Sequence, residues 1–104
     1  MLTPEEAEKI ALSLEKTEKK GHFQRAAFMV KNKIFATLSP DDKTLNIRFT
    51  PQLQMVYCPP GSNVIFPVNN AWGKRGWTTI DLNKASKKLV QSALKDAYEE
   101  RKKK

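Results

Sequence analysis

Residues 44–51 read Thr44-Leu45-Asn46-Ile47-Arg48-Phe49-Thr50-Pro51, and two structural periods meet inside this stretch. Leu45, Ile47 and Phe49 alternate with Thr44, Asn46 and Arg48, the period of two that marks a strand with one buried face. Asn46 and Arg48 therefore project away from the core. At Thr50-Pro51 the pattern changes: the threonine hydroxyl can cap a helix, and proline suits the first helical position. Leu53, Val56 and Tyr57 then supply an inward face, and Pro59-Pro60-Gly61 ends the helix. A strand that runs directly into a capped helix places the chain in a mixed α and β class.

Working outward, Ser39-Pro40-Asp41-Asp42 is a turn in which proline presets φ and the aspartates bond locally. Before it, residues 34–38 pair back on a long apolar strand over 22–30 through the turn Lys31-Asn32-Lys33, where Asn tolerates a left-handed backbone. Nearer the N-terminus, Thr3, Pro4 and Glu6 form a capping box. Ala7, Ile10, Ala11 and Leu14 carry the i, i+3, i+4, i+7 stripe of an amphipathic helix. Glu5, Glu6 and Glu8 lie at its positive end, Lys16, Lys19 and Lys20 at its negative end, and Gly21 stops it.

Downstream, residues 64–68 read as a strand in which Pro67 argues for an edge or a strand end. Residues 69–76 are a loop and 77–82 a further strand. Asp81 or Asn83 caps a final long helix whose stripe is Ala85, Leu89, Val90, Ala93, Leu94 and Ala97. The order is α-β-β-β-α-β-β-α. It predicts one α+β domain over residues 1–104, a single antiparallel sheet of about five strands covered by helices, with a frayed Lys-rich C-terminal end.

At 104 residues there is room for one core, and a net charge of +8 is large for that size. The first twenty residues carry four Lys against five Glu. Residues 21–80 carry seven Lys and Arg against two Asp, and 81–104 carry eight against four acids. The cationic excess thus lies in the middle and the tail, where it favours salt-sensitive attraction to nucleic acid or another polyanion. Cys58 has no intramolecular disulfide partner, which fits a reducing compartment. No apolar run approaches the roughly 20 residues of a membrane helix, and the acidic start is not a signal peptide. A cytoplasmic monomer without membrane contact is expected.

Residues 71–82 hold both tryptophans around Gly73-Lys74-Arg75-Gly76. Glycines allow a tight turn, while the indoles and cations beside them can meet a planar or anionic partner, or the indoles can cap the core. Trp72-Gly73-Lys74-Arg75-Gly76-Trp77-Thr78, with Lys33-Ile34-Phe35-Ala36, the strand before Thr50-Pro51, and Ala93-Leu94 and Ala97-Tyr98 on the last helix, resembles the MmcQ/YjbR family. The resemblance runs from about Thr3 to Arg101. It implies an α+β domain with one antiparallel sheet and a DNA-binding role of the winged or double-wing kind, although fold alone does not fix function. The same general fold serves secretion chaperones, which bind proteins.

Catalytic patterns are lacking. His22 is the lone histidine, no cysteine pair suits zinc, and Asp41-Asp42 are adjacent in a turn rather than posed as acid and base. No Walker loop, G-x-G-x-x-G or G-x-S-x-G is present. The expectation is a non-enzymatic binding protein without metal or cofactor. Lys31, Lys33, Arg48, Lys74 and Arg75 are the candidate phosphate contacts, with Trp72 as a base-stacking indole. The alternatives are a protein-interaction module on the open sheet face and a small-ligand binder walled by Trp72 and Trp77. The five cations on one continuous face would favour nucleic acid; an apolar groove would favour protein or ligand.

Overall fold

The structure is a computed structural model that describes residues 2–22 and 25–103. Its elements are α1 (Pro4–Leu12), β1 (Glu18–His22), β2 (Arg25–Val30), β3 (Lys33–Ser39), β4 (Thr44–Arg48), α2 (Pro51–Tyr57), β5 (Ile65–Pro67), α3 (Ala71–Lys74), β6 (Trp77–Asp81) and α4 (Lys87–Lys102). One antiparallel sheet runs in the order β1-β2-β3-β4-β6-β5, so the chain is an α+β fold with six described strands rather than about five.

The two threonine caps form as the sequence dictates. Glu6 N–H donates to Thr3 Oγ1 at 3.1 Å while Thr3 N–H donates to the Glu6 carboxylate at 2.9 Å. The Thr3 N–H bond, and after it one from Thr3 Oγ1 at 3.1 Å, favour the charged form and hold the Glu6 carboxyl below its usual pKa. Leu53 N–H likewise donates to Thr50 Oγ1 at 3.1 Å.

α1 stops at Leu12, and Gly21 lies within β1 instead of ending a helix. β1 pairs with β2 from Glu18↔Met29 to His22↔Arg25. Its sequence, Glu-Lys-Lys-Gly-His, has no apolar alternation; backbone bonds to β2 and an ion pair of Lys19 with Glu8 of α1 at 3.0 Å hold it, and its charges protect a sheet edge. Residues 23–24 of the expected strand over 22–30 lie outside the described residues. The β2–β3 turn has Lys31 at φ 52° and Asn32 at φ 63°, the two left-handed residues that a tight hairpin needs. β5 is the opposite edge strand, in keeping with Pro67.

Phe28, Ala36, Leu38, Leu45, Ile47 and Ile80 form the sheet's core face, against which Val90, Ala93, Leu94, Ala97 and Tyr98 of α4 are buried. A register shift in the β2–β3 ladder leaves Phe35 as an extra residue, so Phe35 and Ala36 are both fully buried despite being adjacent. Ser86, not Asp81 or Asn83, caps α4 by accepting from Leu89 N–H at 3.1 Å. Leu89, expected mid-core, is only partly buried, because the docked face turns towards Val90 and Leu94. Val56 is 77% exposed rather than inward; Leu53 and Tyr57 carry the packing of α2. At the Lys-rich end Arg101 Nε donates to Ile34 O at 3.0 Å and Lys31 Nζ to Lys102 O at 3.0 Å, and α4 runs to Lys102.

Among the described residues no helix is long and apolar enough to cross a membrane.

Candidate nucleic-acid interface

The sheet face opposite α4 gathers most of the candidate side chains, and strand register decides which. Arg48 of β4 stands directly across from Trp77 of β6. One step along, Thr37, Asn46, Thr79 and Phe66 form a row across β3, β4, β6 and β5. Within that row Thr79 Oγ1 donates to Asn46 Oδ1 at 2.8 Å. Arg25 closes its far end with Nε on Thr37 Oγ1 at 3.1 Å and Nη2 on Thr37 O at 3.3 Å.

The segment over 69–76 is not a plain loop. Asn70 Oδ1 accepts from Trp72 N–H at 2.8 Å and starts α3, a single turn that lifts Trp72 over the sheet. Two glycines fix its position by close approach. A Cβ on Gly73 would fall 1.9 Å from Val68 O, and one on Gly76 would fall 1.9 Å from Phe49 O. Gly76 also sits at φ 111°, open only to glycine. Gln54 Nε2 reaches across from α2 to Gly73 O at 2.9 Å, Trp77 O at 3.0 Å and Thr78 Oγ1 at 3.1 Å. The tryptophan segment is thus held from both sides.

Two adjoining grooves result. One, of about 560 Å³, is lined by Met29, Asn32, Lys33, Ile34, Arg48, Trp72, Arg75, Trp77 and Arg101. The other, of about 430 Å³, is lined by Thr37, Asn46, Val68, Asn70, Trp72 and Trp77. Both indoles border both grooves. Neither caps the core: Trp72 is 55% exposed and Trp77 half-buried. The Arg75 guanidinium lies 5.2 Å from the Trp72 ring centroid, a cation–π contact. Arg101 is drawn below the usual guanidinium pKa first by burial and then by the neighbouring charge of Arg48. No ion pair among the described residues involves Arg48, Arg75 or Arg101.

Of the six residues expected from the sequence, Lys33, Arg48, Trp72 and Arg75 come together in one groove. Lys31 does not: it bonds the end of α4 and faces a separate hollow with Glu15, Lys16 and Tyr98. Lys74 lies on the far side of α3 with Gln54, Pro67 and Asn69. The five cations therefore do not form one continuous face. Trp77 and Asn46, read from the sequence as a possible ligand wall and an outward strand residue, also line the site, and Met29, Ile34 and Arg101 join it unannounced. For Arg101 the sequence carries no signal, because its place depends on how α4 docks 67 residues away from Ile34.

No group of three or more His, Cys, Asp or Glu among the described residues can hold a metal. Cys58 is half-buried, and burial pushes its thiol pKa up against a smaller opposing hydrogen bond with Thr78.

The YjbR family model matches residues 12–100. A search of curated proteins finds no match. Among solved structures the chain is similar to a Deinococcus radiodurans protein with a DUF419 domain, at 18% identity and TM-score 0.84, covering 100% of this chain and 81% of that one. It is also similar to a Pseudomonas syringae protein, at 20% identity and TM-score 0.66, covering 89% of this chain and 93% of that one. These likenesses concern the fold.

Proposed function

The chain belongs to the YjbR family, and we propose that its open sheet face binds nucleic acid, with DNA the first candidate, as a non-enzymatic module of the cytoplasm. The observation that carries the reading is the set of three guanidiniums, Arg48, Arg75 and Arg101, around a groove walled by Trp72 and Trp77. Like charges brought together repel, so an anion in their midst relieves the repulsion between Arg48 and Arg101. Guanidinium is suited to phosphate through its paired donors and delocalised charge. Indoles beside it can stack on bases. The net charge of +8 adds long-range attraction. Such contacts position a backbone and do not read sequence.

The test is an Arg48→Ala/Arg75→Ala double variant titrated with labelled DNA across a salt series. Its affinity should fall for all sequences alike, and the salt slope should shrink by about 1.5, the share of about two phosphate contacts. Stability should stay within about 1 kcal/mol, since each is a surface charge. Lys74→Ala should change neither quantity. Unchanged affinity and slope in the double variant would move the reading to a protein partner, for which the apolar Met29, Ile34 and Trp77 in the same groove speak.

Cys58 supplies an independent check on the absence of chemistry. With its thiol pKa raised, alkylation by iodoacetamide at neutral pH should be slower than for an unhindered peptide cysteine, and Cys58→Ser should leave DNA affinity unchanged. Rapid, selective alkylation that abolishes binding would contradict a non-enzymatic site.

A further inference from the structure

We infer that the occupant of this face is a single strand rather than a duplex, with one unpaired base held in the groove between Trp72 and Trp77. The inference rests on the nucleic-acid reading above and goes further by naming the form of the ligand. The two indoles stand where a cationic groove, bearing Arg48, Arg75 and Arg101, meets an amide-lined one, bearing Asn46 and Asn70. A base inside a duplex shows only its edges, because its flat faces are stacked on neighbours. Indole walls are complementary to those flat faces and reward only a base that has left the stack.

The amide side is equipped for the edge of such a base. Asn70 lines the groove with its Oδ1 committed to Trp72 N–H, which leaves the amide nitrogen as the donor of that side chain. Asn46 Oδ1 accepts from Thr79 Oγ1, which leaves the Asn46 nitrogen as a second donor. Two amide donors suit a base that presents carbonyl oxygens. Thymine has two, so oligothymidylate is the appropriate probe. The neighbouring guanidiniums take the flanking phosphates, and Trp72 takes the base.

The experiment compares an oligothymidylate of about 12 nucleotides with a dA·dT duplex of equal length. Affinity is measured across a salt series with indole fluorescence as a second readout. Three proteins are used: wild type, Trp72→Ala, and the Arg48→Ala/Arg75→Ala variant. Trp72 is more than half exposed, so its removal leaves the fold intact. The single strand should bind more tightly than the duplex and quench indole fluorescence. Trp72→Ala should lose about 5- to 150-fold in single-strand affinity, the worth of one stacked base, with the salt slope unchanged. Trp72→Phe should recover part of that loss.

Duplex binding as tight as the single strand, or a Trp72→Ala protein with unaltered single-strand affinity, would overturn the inference. If the arginine variant still flattened the salt slope in that case, the nucleic-acid reading would stand without it. Failure of wild type to bind either form would remove both.

Discussion

Gly76→Ala is expected to destabilise the protein by about 2–6 kcal/mol, against a total of about 5–15 kcal/mol for a domain. Two independent costs add at this position. At φ 111° the backbone lies outside even the small left-handed region that side chains visit. A Cβ there would meet Phe49 O at 1.9 Å and Phe49 C at 2.7 Å. Neither can give way, because that stretch of backbone is held by Phe49 N–H donating to Gly76 O at 3.1 Å. The comparison is Gly21→Ala, at an exposed strand position where nothing lies within 4 Å, which should stay within about 0.5 kcal/mol. Denaturant midpoints for the two variants give the answer. Equal midpoints would mean that the tryptophan segment is not pinned as described, and the groove geometry would fall with it.

Phe35→Ala should cost about 3–5 kcal/mol and reach the site as well as the core. Phe35 is fully buried at the β2–β3 bulge, with its ring edge-on to Tyr98 at 5.7 Å and 80°. Tyr98 belongs to the same helical turns as Arg101, whose Nε is anchored on Ile34 O beside Phe35. Emptying the space under α4 loosens the joint that carries the third guanidinium into the groove. The variant should therefore show a lower denaturant midpoint and, where it is still folded, weaker DNA binding than its intact Arg48 and Arg75 would give. A stability loss below about 1 kcal/mol would place Phe35 outside the joint between sheet and helix.

The parts of the site visible in the sequence are those set by local rules. Arg48 could be assigned to the outer face because β4 alternates cleanly between buried and half-exposed positions. Trp72 and Arg75 could be placed near each other because four residues cannot separate them far. Lys31 and Lys74 satisfied the same local criteria and failed on direction. Lys31 sits in a left-handed turn that sends its amine to the end of α4, and Lys74 occupies the opposite side of a one-turn helix from Trp72. Arg101, by contrast, looked like part of a solvated tail.

By itself the sequence determined the α+β class, the two threonine-capped helix starts, the left-handed hairpin turn and the outward face of β4, and it narrowed the Pro67 strand to an edge or a strand end. Each follows from backbone sterics, capping or a period written in consecutive residues. Only the tertiary structure decided that residues 18–22 form a strand, that Phe35 bulges to put two neighbours in the core, and that Arg101 joins Arg48 and Arg75. Those features come from pairing and docking between segments far apart in the chain. Residues 18–22 are bound to β2 by backbone groups that every sequence carries, and Arg101 is placed by a carbonyl 67 residues away. Neither kind of contact leaves a pattern in the order of side chains.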